Sequence, residues 1–89
     1  MIFLVDKSTF SISAHKNYSE AAKQGLATLG VSYQPGSDPV QSFNQANTEQ
    51  QIVLMNLSAA LELIEKSDKE HCQEMAKRIR QAVDRFYAK

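Results

Sequence analysis

The stretch from Ile52 to Ile64 carries more apolar side chains than one face of a helix can hold. At about 100° per residue, Val53, Leu54, Leu57, Ala60, Leu61 and Ile64 fall on one side. Ile52, Met55, Ala59 and Leu63 fall on the other, about 150° round. Gln51, Ser58, Glu62 and Glu65 make one narrow polar strip, and Glu49 with Asn56 makes a second. A helix on the surface of a small domain normally has one apolar stripe. The spacing therefore predicts a central helix, from Asn47 or Thr48 to about Lys66, that must be covered on two sides.

Ser67-Asp68-Lys69-Glu70 fits a capping box and restarts a helix that reaches Phe86 or beyond. So short a break implies an antiparallel helical hairpin over residues 48–89. The last helix has a single apolar face: Cys72, Met75, Ala76, Ile79, Ala82, Val83 and Phe86. It can cover one side of the central helix. The other side needs the N-terminal part of the chain or a second protein. Burial is worth about 1.5–3 kcal/mol for each large apolar side chain, so neither side is left wet without loss. Ile52, Met55, Ala59 and Leu63 are thus the candidate protein interface.

Residues 2–14 read as a β-hairpin. Ile2 to Val5 is a continuous apolar run suited to a strand covered on both faces. Asp6 to Thr9 is a polar turn, and Phe10, Ile12 and Ala14 alternate with polar residues. Asn17-Tyr18-Ser19-Glu20 opens a helix with Tyr18, Ala22, Leu26 and Leu29 on one stripe, and Gly30 ends it. Val31-Ser32-Tyr33 offers a third short strand. Residues 34–47 read as a loop in which Asp38-Pro39 starts a short helical turn, lowering Val40 and Phe43 onto the core. A recognition loop is the functional alternative there; the connector is preferred because its large apolar groups are the expected anchors.

The expected fold is α+β, one domain over residues 1–89. A β-hairpin of two or three strands and one helix (2–33) and a loop (34–47) pack on the C-terminal helical hairpin (48–89). An 89-residue chain hides only about 60–65% of the surface its unfolded form exposes, so its stability margin is thin. Hydrophobic residues at 43% and charged residues at 22% exclude a disordered tail. Ten basic and ten acidic side chains cancel, which excludes a bulk polycation made to coat nucleic acid. One cysteine excludes a cystine-stapled scaffold. The apolar start is too short for a signal peptide or a membrane span, and a soluble, cytoplasmic protein is expected.

The residues do not assemble a catalytic set. Cys72 lies on an apolar helix face, and His71 beside it points about 100° away, so it is not an opposed base. His15, His71 and Cys72 lack metal-ligand spacing, and no cofactor motif or small-molecule substrate is evident. Residues 67–89 carry six positive against four negative charges, and residues 44–66 one against three. Lys77, Arg78, Arg80 and Arg85 are the candidate phosphate contacts of a nucleic-acid-binding alternative. Against it, Glu74 and Asp84 stand four residues from Arg78 and Arg80, the spacing of ordinary surface ion pairs. The capping boxes and apolar stripes recur across unrelated proteins and point to no family. The expected function is a non-catalytic protein-interaction module, an accessory regulator or inhibitor of bacterial or phage type. It would act on a larger protein or through self-assembly, a homodimer included.

Overall fold

A computed structural model describes residues 1–88. The protein is α+β, with a three-stranded antiparallel sheet and four helices. The expected hairpin is there: β1 (Ile2–Asp6) pairs with β2 (Ser11–His15). Val5 stands opposite Ile12 and Phe3 opposite Ala14, which puts these four on one face. Phe10 belongs to the turn rather than the alternating strand, with φ at 57°.

Helix α1 (Tyr18–Thr28) starts where the capping box places it, with Asn17 Oδ1 accepting from the Glu20 amide at 3.0 Å. It ends in a Schellman turn. The Val31 amide donates to the Leu26 carbonyl and the Gly30 amide to the Ala27 carbonyl, with Gly30 at φ 74°. Val31 to Tyr33 add no strand. The expected helical turn is a full helix, α2 (Pro39–Ala46), with Asp38 as N-cap and Phe43 buried.

The main correction concerns residues 52–56. They form β3 (Ile52–Asn56), which pairs antiparallel with β1 and makes the sheet order β2-β1-β3. The central helix is shorter than the spacing predicts: α3 spans Leu57–Lys66, with Asn56 Oδ1 accepting from the Ala59 amide at 2.9 Å. The reason is physical. A dense apolar run fits a doubly covered strand as well as a two-sided helix. Here β1 is buried along its whole length and needs a partner on each side. Helix α4 (Lys69–Tyr87) follows, capped by Asp68 one residue later than the capping box suggests. With α3 it makes the expected C-terminal helical hairpin.

Alternation along the strands builds two cores. Phe3, Val5, Ile12 and Met55 face α3 and α4, where Ala60, Met75, Ile79 and Ala82 meet them. Leu4 and Ile52 face α1 and α2, where Ala22, Leu26 and Phe43 meet them. The sheet is the middle layer of three. Helix α4 lies over β2, while α3 lies over β3 and β1.

Candidate functional site

The four residues expected to form an interface do not share a surface. Ile52 and Met55 are buried in opposite cores because successive strand residues of opposite parity point to opposite faces. Ala59 and Leu63 are exposed on α3. What the sheet leaves outside is a different set. Leu57 is 50% exposed and Leu61 49%, one turn apart on the same helix. Helix α3 packs inward through Ala60 and Ile64, which leaves Leu57 and Leu61 half-exposed.

Beside them, β3 is an edge strand. The Lys7 amide donates to the Gln51 carbonyl at 2.9 Å, which fixes the ladder's phase. Odd residues of β3 therefore bond inward to β1, and Ile52, Leu54 and Asn56 turn their backbone groups outward. Asn47 occupies the first of these positions. Its Nδ2 donates to the Ile52 carbonyl at 2.7 Å and its Oδ1 accepts from the Ile52 amide at 3.3 Å. A side-chain amide thus stands in for a neighbouring strand at that point. Leu54 is left facing the edge.

The basic residues fare differently from one another. Arg78 donates through Nε to Glu74 Oε1 at 2.8 Å, and that pair holds the Glu74 carboxyl below its usual range. Its Nη1 donates to the carbonyls of Phe10 at 2.6 Å and Thr9 at 3.1 Å. Arg78 is a clasp between α4 and the β1–β2 turn. Lys77 and Arg85 share a shallow groove with it; Arg80 is exposed but does not line that groove. The four do not converge on one phosphate-binding stripe.

A second concavity is invisible in the sequence. Between the β1–β2 turn and the α3–α4 junction lies a cavity of about 520 Å³. Val5, Met55 and Met75 form its buried floor. Phe10 and Leu63 flank it, and Lys7, Lys66, Asp68 and His71 bring polar groups to it. Several short bonds shape this end of the molecule. The Asp6 carboxylate accepts from the Ser8 amide at 2.9 Å and the Ser8 hydroxyl at 2.7 Å, and from Gln51 Nε2 at 3.3 Å. The Ser8 hydroxyl above all keeps the Asp6 carboxyl below the ordinary aspartate range, against the opposing effect of burial.

His71 Nδ1 lies 2.8 Å from Asp68 Oδ2, and the Phe10 ring stacks on His71 at 6.1 Å between centroids. The hydrogen bond to Asp68 raises the His71 pKa. The Asp68 carboxyl is lowered, first by the His71 backbone N–H and then by its side chain. No sequence pattern flags this cluster, because Lys7, Phe10, Lys66 and His71 come from turns and helix ends far apart in the chain.

His15 lies 2.7 Å from the Ser13 hydroxyl on β2, and Cys72 is half-buried on α4. Among the described residues no three His, Cys, Asp or Glu side chains converge as metal ligands, and no helix is long and apolar enough to cross a membrane. No family model, curated protein or solved structure matches the chain.

Proposed function

We propose that the protein is a small non-catalytic interaction module that works by protein contact, first of all with a second copy of itself. The observation that carries this reading is the pair of half-exposed leucines, Leu57 and Leu61, on the helix that covers the open edge strand. One residue's outward amide and carbonyl are self-complementary across a two-fold axis. Leu54 of one copy then exchanges both bonds with Leu54 of the other, as in any hydrogen-bonded antiparallel pair.

With Asn47 holding Ile52, such an edge contact is short. Most of the interface must come from α3, whose counterpart would lie alongside it. A stable pair hides about 800 Å² on each partner, roughly an eighth of the 6035 Å² surface here. Zero net charge offers no overall repulsion to association. The reading includes a reducing, cytoplasmic setting, supported by the single unpaired Cys72, and a regulatory role for the assembled surface.

Amide hydrogen exchange at Leu54 tests the proposal at the site. Protection of the Leu54 amide is expected to rise with protein concentration while that of β1 stays constant. A Leu54 amide that exchanges rapidly at every concentration contradicts it.

A further inference from the structure

The cavity between the β1–β2 turn and the α3–α4 junction has features that the interaction reading does not use. Its floor is apolar and methionine-rich, a lining that adapts to irregular apolar ligands. Its volume, about 520 Å³, falls within the usual range for small-molecule sites. Two lysines line it from separate elements, Lys7 from the β1–β2 turn and Lys66 from the end of α3. Among the described residues neither makes an ion pair. Asp68 at the rim, hydrogen-bonded by the side chain and amide of His71, is one negative charge against two lysines, so the balance of the lining is positive.

Phe10 completes the wall. It sits at φ 57°, a left-handed conformation rare for a bulky residue, and Arg78 clasps its carbonyl. A strained backbone held in place by a distant side chain marks a position that is fixed for its geometry. That geometry aims an exposed aromatic ring across His71 at the cavity's edge.

We propose that this cavity binds a small amphipathic anion, with an unbranched apolar tail on Met55 and Met75 and a carboxylate-type head at Lys7 and Lys66. Lys66 ends the helix that carries Leu57 and Leu61, so ligand binding and assembly are read separately in the test.

The test follows the methionine methyl signals by NMR during titration with octanoate, octan-1-ol and octyltrimethylammonium. Octanoate is expected to give saturable shifts at Met55 and Met75 and none at Met1, which does not line the cavity. The neutral and cationic probes should bind at least about tenfold more weakly, the scale of a lost charge-assisted contact. Lys7→Gln with Lys66→Gln should weaken octanoate by a similar factor and leave octanol unchanged; both side chains are exposed, so the fold is not at risk. Running the titration also on a Leu57→Ser/Leu61→Ser variant separates ligand binding from assembly, and octanoate should bind it as before. Absent or non-saturable methyl shifts, equal binding of the three probes, or an indifferent lysine variant would each overturn the assignment.

Discussion

Gly25 illustrates how one atom sets a packing distance. A Cβ there would stand 2.5 Å from Phe43 Cε1 and 2.7 Å from Cδ1, and Phe43 is itself buried. Gly25→Ala would gain about 1 kcal/mol in helix propensity, but overpacking against a fixed ring costs about 1–3 kcal/mol. A net loss of stability is expected, read as a lower urea midpoint; a raised midpoint would mean that α2 slides freely on α1. Asp6 makes a prediction of another kind. Its carboxyl is lowered in the folded protein relative to the ordinary 3.8. The stabilisation is therefore complete above that ordinary value and disappears as pH falls through the lower folded one. Asp6→Asn should be less stable than the parent at neutral pH, and the gap should close on acidification. Urea midpoints across the acid range check this, and a gap that does not change with pH would refute it.

At the scale of elements, β3 depends on Asn47. Asn47→Ala removes both side-chain bonds to the buried Ile52 backbone and should cost about 2 kcal/mol. It also uncovers a second position of the edge, so aggregation on heating should increase, as light scattering during a melt will show. An unchanged melting curve would mean that the amide is ornamental. The same strand marks where sequence reasoning reached its end. Elements announced by local chemistry were legible: Asn17 and Asp38 cap the helices expected of them, and Ile12 and Ala14 alternate as a half-buried strand should. Ile52 to Met55 carries no such local mark. Four apolar residues in a row suit a strand or a helix, and what decided between them was the exposed flank of β1, a partner fifty residues away. With that one assignment the expected two-sided helix dissolved, and Leu57 and Leu61, expected to be covered, are exposed along with Leu63. The cavity was illegible for a similar reason: its lysines and aromatic ring meet only once the turns are folded.

For the molecule as a whole, the three-layer arrangement resolves the demand that the apolar segment makes. Two cores, one on each face of the sheet, absorb the strand residues, and each is closed by a pair of helices. What this segment leaves exposed is Leu57, Leu61 and Leu63 on α3, next to the free edge of β3. A chain of 10.0 kDa with so little interior gains proportionately more from hiding that side than a larger protein would. The nucleic-acid alternative predicts binding that weakens steeply with salt, yet Arg78, central to its basic cluster, is committed to clasping the β1–β2 turn. The most direct measurement is absolute mass by light scattering over a range of concentrations, for the parent chain and for Leu57→Ser/Leu61→Ser. The account predicts about 20 kDa, twice the chain mass, for the parent, and about 10 kDa for the variant with its circular dichroism unchanged. A parent chain that stays near 10 kDa at every concentration would contradict it.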